Sequence, residues 1–218
     1  MLQLSTLAFL KALKRNNNRE WFEKNRGKYE LAKLDVDTFA AALLKELTKI
    51  NPALGSLEVK HCVFRIYRDV RFSKNKLPYK THMGAYFAEG GKKSDKAGFY
   101  IQVEPGSGFI AGGCWMPEAP QLKAIRQEID YNFAEFEQIL QAKPFRKLFD
   151  EMSDTRLKTT PKGYEATNAA IDHLRQTSFI VETSFDDKDF INKNLVKKCA
   201  SVYSVMMPFI KFLNSATG

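Results

Sequence analysis

Apolar positions recur with two different periods along this chain, and the change of period divides it into three parts. From residue 5 to 50 they recur every three or four residues. Leu7, Leu10 and Leu13 fall on one face of a short helix that Ser5 is placed to cap and that "NNN" (Asn16 to Asn18) ends. Tyr29, Ala32, Val36, Phe39, Leu43, Leu47 and Ile50 advance in the same steps, predicting a helix from Arg19 to Ile50 with a bend at Gly27. From 59 to 116 the period falls to two, and segments 59–70, 83–88, 98–104 and 108–116 read as strands. "PGSG" (Pro105 to Gly108) joins the last two as a hairpin, while "EGGKKSDK" makes a looser polar connection before them.

The helical period returns from 118 to 214. Leu122, Ile125, Ile129, Phe133, Phe136 and Leu140 form one stripe, followed by a short helix from Phe145 to Met152 and a loop, "LKTTPKGY". Another helix near 165–175, a strand near 177–185 and a C-terminal helix from Asp187 complete the pattern, with Pro208 expected to kink or divide the last helix. No linker or repeat interrupts it. The expectation is one α+β domain over residues 1–218, its mostly antiparallel sheet packed against several helices.

Composition narrows the setting. The 218 residues are 44% hydrophobic, enough for a substantial core. Cys62, Cys114 and Cys199 are far apart with no CxxC, which points to reduced thiols and a cytoplasmic protein. Lys11 interrupts the apolar N-terminal run, its basic residues follow rather than precede it, and no stretch has the length of a membrane span. No membrane association is expected.

Charge changes the picture more. The formal net charge is +9, and between residues 60 and 82 seven bases (Lys60, Arg65, Arg68, Arg71, Lys74, Lys76, Lys80) face one acid, Asp69. Most of the excess therefore lies in and just after one strand-like segment. Strict alternation puts Cys62, Phe64, Ile66, Arg68 and Val70 on one face, and Val63, Arg65, Tyr67, Asp69 and Arg71 on the other. In the strand at 98–104, Tyr100, Gln102 and Glu104 oppose Phe99, Ile101 and Val103. With the apolar sides sharing a core, Arg65, Tyr67, Tyr100, Gln102 and Glu104 share a polar face, and Gly112 and Gly113 leave room beside it.

The leading expectation is an anionic, phosphate-bearing ligand, either a small molecule or nucleic acid. Arg65, Arg68, Arg71, Lys74, Lys76 and Lys80 would supply charge, Tyr67 and Tyr79 would pack on its flat parts, and Arg126 would reach in from the following helix. The alternative is a hydrolase of a phosphorylated or carboxylated substrate, metal-independent or Mg-assisted, with His82, Asp69 and Glu104 in acid–base roles. A third reading is an interaction protein whose arginines form structural ion pairs.

Other motifs add little. "GSGFIA" (Gly106 to Ala111) matches a dinucleotide pattern, but strand sequence follows where a helix is required, so no cofactor is expected. His61, His82 and His173 are scattered, and no metal site is expected.

The segments "FLKALKRNNNREWFEKNRGKYE", "FRIYRDVRFSKNKLPYKTHMGAYF", "YIQVEPGSGFIAGGCWMPEAPQLKAIRQEI", "TTPKGYEATNAAIDHLR" and "PFIKFLN" together resemble the conserved hypothetical family known as domain of unknown function 2461. The likeness runs over nearly the whole chain, and Arg68 to Lys80 is its most distinctive part. It implies bacterial-type cytoplasmic proteins of α+β form and carries no catalytic residue or cofactor to transfer.

Overall fold

The computed structural model describes residues 1–149, 151–152 and 155–217. The chain divides into two compact units. One comprises Met1–Lys93, Tyr100–Ile110 and Ser184–Ser201; the other comprises Ser94–Phe99, Ala111–Thr183 and Val202–Gly218.

In the first unit, helices α1 (Leu4–Arg15), α2 (Arg19–Lys24) and α3 (Arg26–Ile50) follow the expected stripe, with Ala32, Val36, Phe39, Leu43 and Leu47 buried on α3. Ser5 is not the cap. The helix starts two residues earlier, at N-cap Gln3, whose N–H donates to Asp35 Oδ2 at 2.8 Å while the Thr6 hydroxyl donates to the same oxygen at 2.6 Å. A carboxylate from α3 thus meets the α1 N-terminus, where the unpaired N–H groups favour negative charge. The second break lies at Asn25 rather than Gly27, because the Asn25 side chain donates to the Trp21 carbonyl and competes with the helical ladder.

Residues 59–70 are not a regular strand. Val59–Cys62 form a helical turn, α4, and the Lys92 ammonium donates to the carbonyls of Lys60 and Val63 at 2.6 Å each, satisfying its C-terminal end. An extended stretch then pairs antiparallel with its return arm through two isolated bridges, Val63 with Ala85 and Tyr67 with Tyr79. Phe64 N–H donates to Gly84, Lys80 N–H to Ile66 and Arg68 N–H to Pro78. The outcome is an irregular hairpin that carries the basic loop at its tip.

The return arm continues into β1 (Met83–Phe87), followed by β2 (Gly98–Val103) and β3 (Gly108–Cys114), and the sheet order is β1-β2-β3-β4 with β4 at Phe179–Phe185. The α+β class with an antiparallel sheet is as the periodicity predicts. Gly112 and Gly113 do not open a space. The Met206 sulfur would meet a Cβ at Gly112 at 2.6 Å, and Gly113, at φ 128°, has the Phe179 main chain against it.

In the second unit the long stripe is divided at Asn132 into α5 (Ala119–Tyr131) and α6 (Phe133–Gln141), followed by α7 (Lys143–Leu148). The expected continuation of α7 to Met152 crosses Asp150, which lies outside the described residues. The helix expected near 165–175 shrinks to α8 (Ile171–Leu174), since turns hold the preceding segment and Asn168 bonds Asp130 at 2.7 Å.

The C-terminal helix begins as α9 (Asp187–Phe190) and resumes as α10 (Leu195–Ser215), unbroken at Pro208. A mid-helix proline costs about 3 kcal/mol. Pro208 is exposed while Met206, Phe209, Ile210 and Leu213 around it are buried. Each such side chain contributes about 1.5–3 kcal/mol, so burial outweighs the break. Among the described residues, no helix is long and apolar enough to cross a membrane.

Candidate functional site

The hairpin that carries the basic loop is held from outside the sheet. The three consecutive asparagines divide the work between them. Asn16 bonds the last turn of α1, Asn18 caps α2 by accepting from Trp21 N–H, and Asn17 clamps the return arm. Asn17 donates to the Tyr79 carbonyl at 3.0 Å and accepts from the Tyr79 N–H at 3.1 Å, acting as a one-residue strand partner. Tyr79 itself is 4% exposed and stacks on Phe22 with centroids 4.0 Å apart.

A chain of hydrogen bonds runs along the polar face of β2. The Tyr100 hydroxyl donates to Gln102 at 2.9 Å, and Gln102 donates to Glu104 Oε2 at 2.7 Å. Thr81 donates to the other Glu104 oxygen at 2.9 Å. Gly84 makes this possible, because a Cβ there would lie 2.6 Å from the Tyr100 hydroxyl. Burial pushes Tyr100 up to about 12, so it stays a donor. With both oxygens engaged, Glu104 stands with its Oε2 3.8 Å from His82 Nδ1, beyond hydrogen-bond distance.

At the Thr81 end of this network opens a cleft of about 470 Å³, lined by Arg68, Asp69, Asn75, Leu77, Tyr79, Lys80, Thr81 and His82. Arg68 is half-buried and donates to the Ser73 hydroxyl at 3.4 Å. Lys80 lies with its ammonium 5.2 Å from the centre of the Phe64 ring. Neither forms an ion pair with a described carboxylate. Burial lowers the Lys80 pKa, and the charges of Arg65 and Lys92 lower it further. Burial also lowers that of His82; Glu104 opposes this, while Lys80 and Arg68 add to it. Asp69 is the one acid among the described residues lining the cleft, and Arg71 grips it with both ends of its fork at 3.0 and 2.7 Å. The hydrogen bonds from Arg71 hold the Asp69 carboxyl below its usual range.

The structure sorts the sequence candidates. Arg68, Asp69, Tyr79, Lys80 and His82 line one cleft, with Glu104 behind His82. Arg65 instead lines a separate cleft of about 530 Å³ with Lys33, Lys60 and Lys92. Phe64, not Arg65, meets Tyr100, with ring centroids 6.2 Å apart, so the strict alternation fails where the segment leaves regular strand geometry. Tyr79, although it lines the cleft, is 4% exposed and packed on Phe22. Tyr67 is 39% exposed, but its ring contacts Phe22, Tyr29 and Tyr79, so both tyrosines chiefly pin the hairpin. Lys76 braces the loop by donating to the Val70 carbonyl at 3.0 Å, while Lys74 and Arg71 are exposed on it. Arg126 belongs to the second unit, where it donates to the Gln176 carbonyl at 3.0 Å.

Sequence reasoning overlooked Asn17 and Thr81. Three asparagines in a row, more than a helix end requires, were the available signal for the first. No group of three or more His, Cys, Asp or Glu among the described residues is arranged to hold a metal ion. Burial raises the thiol of Cys114 to about 11, consistent with a packing role.

Neither the curated proteins nor the solved structures contain a match. The family model described as "Conserved hypothetical protein (DUF2461)" matches residues 5–212, a span that includes the clamp, the basic hairpin and the polar face of β2. The chain belongs to the DUF2461 family.

Proposed function

We propose that this protein binds a phosphate-bearing anion in the cleft formed by Arg68, Lys80 and His82. The observation that carries the reading is a guanidinium and an ammonium at one recess with no described carboxylate as partner, while the one described acid lining it is already gripped by Arg71. Partly desolvated cations without counter-ions are costly, and an incoming anion removes that cost. Arg68 offers a planar donor fork to two phosphate oxygens, Lys80 adds point charge, and His82 becomes a donor on protonation. The three cysteines are free and buried, which fits a reducing, cytoplasmic setting.

Thermal unfolding at low salt, with inorganic phosphate, pyrophosphate and nucleotides, tests this. A ligand at about 100 times its dissociation constant adds roughly 2.7 kcal/mol to stability. The shift should vanish in the R68A/K80A double variant. A shift unchanged by those substitutions, or none with any phosphate compound, would sink the reading.

A hydrolase is the second reading, and the Glu104 carboxylate behind His82 favours it. Water would attack the phosphorus as the ester P–O bond breaks, protonated His82 giving its proton to the leaving oxygen and the water's proton passing to the phosphate or solvent, with the Glu104 charge favouring the imidazolium. The Mg-assisted form is disfavoured, since both Glu104 oxygens accept hydrogen bonds and Arg71 occupies Asp69. Turnover of aryl phosphate esters that disappears in H82A would promote this reading over simple binding.

A further inference from the structure

Phe72 stands at the tip of the basic loop with 96% of its surface exposed. The loop that holds it is braced from within. Arg71 N–H and its guanidinium both bond Asp69, Leu77 N–H donates to Asn75 Oδ1, and Lys76 donates to the Val70 carbonyl. The phenyl ring is thus presented by a hydrogen-bonded loop. The Arg71 guanidinium lies 5.8 Å from its centre. Asn75 and Leu77 of the same loop line the cleft of Arg68 and Lys80, which makes the loop the rim of that cleft.

Resting on the phosphate-binding reading of that cleft, we infer that the ligand is single-stranded nucleic acid, one phosphate seated at Arg68 and Lys80 and an unpaired base stacked on Phe72. Tyr79, the one phenol or phenyl ring among the described residues lining the cleft, is buried on Phe22 and cannot receive a base. Phe72 is the most exposed ring of the hairpin, Tyr67 being 39% exposed and packed on other rings, and Arg71, Lys74 and Lys76 lie within four residues of it in the sequence. An exposed ring among cations beside a basic recess is the arrangement that binds stacked bases and a phosphate chain together. The base must be unpaired, because a duplex hides its faces. A membrane surface fits less well: one ring and the half-exposed Leu77 are a small apolar area, whereas one ring suffices for one base.

The test compares labelled oligothymidylate with an abasic phosphodiester oligomer of equal length at low salt, using fluorescence anisotropy. F72A should weaken oligothymidylate about 10-fold or more and leave the abasic oligomer unchanged. R68A/K80A should weaken both. Equal effects of F72A on the two oligomers, or no preference of the unaltered protein for the one with bases, overturns the inference. So does Phe72-dependent sedimentation with phosphatidylserine vesicles that exceeds oligomer binding. If neither oligomer binds while pyrophosphate still shifts thermal unfolding through Arg68, the nucleic-acid inference fails and the cleft reading stands. If R68A/K80A alters the response to neither oligomers nor pyrophosphate, the cleft reading fails as well.

Discussion

His173 and Glu137 in the second unit are joined at 2.7 Å between Nε2 and Oε1, with the rings of Phe133 and Phe136 against the imidazole. His82 and Glu104 in the first unit stand 3.8 Å apart, and the carboxylate is held instead by Thr81 and Gln102. Chemically these are the same pair of side chains. In the first case each satisfies the other and two phenylalanine rings flank the imidazole, so the pair works as a strut even though it is no more buried than the second. In the second, the acid is fixed by third parties and the imidazole lines a cleft with two cations that no described carboxylate pairs. On the proposed reading of the cleft, a histidine–carboxylate pair is left for ligand chemistry where other donors satisfy its acid.

The strongest way to break this comparison is through the carboxylates. Glu104→Ala removes the acceptor of two side-chain donors in a mostly buried place, with an expected loss of about 2–3 kcal/mol in urea unfolding. Glu137→Ala removes one bond at a half-exposed position and should cost about 1 kcal/mol. Equal costs would mean that Glu104 is no hub and that the two pairs are alike.

The histidines sharpen it next. H173A should lose about 1–2 kcal/mol of stability through its ring contacts and leave phosphate-induced stabilisation unchanged. H82A should change stability by no more than about 0.5 kcal/mol while weakening the phosphate response. The reverse pattern would assign the functional role to the wrong pair.

A smaller effect comes from pH. The folded-state pKa of His82 lies below its ordinary value of 6.5, chiefly through burial. The unfolded chain then binds the proton more readily, so the His82 contribution to stability is intact above about pH 6.5 and is lost as pH falls through the folded value. H82N should remove that part of the pH dependence. Ligand binding has the opposite sign: an anion at the cleft raises the His82 pKa, so affinity should increase on acidification from about pH 8 to 6. A flat affinity profile would detach His82 from the anion.

The smallest expected effect is at Asp69. Asp69→Asn removes the one described acid lining the cleft and should tighten phosphate binding by about twofold at low salt, a gain screened away at high salt. Weaker binding would mean that the Arg71–Asp69 fork is needed to shape the loop.

The fold class was legible because burial is periodic. The stripes of α3, α5 and α6 and the strands β1 to β4 each repeat the spacing of their own geometry, and apolar burial rewards that spacing locally. The positive charge around residues 60–82 was equally plain, being composition alone. What the order of residues did not disclose depends on groups far apart in the chain: Asp35 displacing Ser5 as partner of the α1 terminus, Lys92 turning 59–62 into a helix, and Asn17 clamping Tyr79 from 62 residues away. The Lys92 and Asn17 contacts fasten the two ends of the expected strand and Tyr79 is buried with them, whereas the separation of Arg65 from Arg68 was already implied by their opposite faces. The sequence by itself therefore determined the fold class, the long helices, the strands of the sheet and the charge of the site, since each is a sum over neighbouring residues. Only the tertiary structure decided which cations converge and which acid is already taken, because pairing is a property of distances that no local pattern encodes.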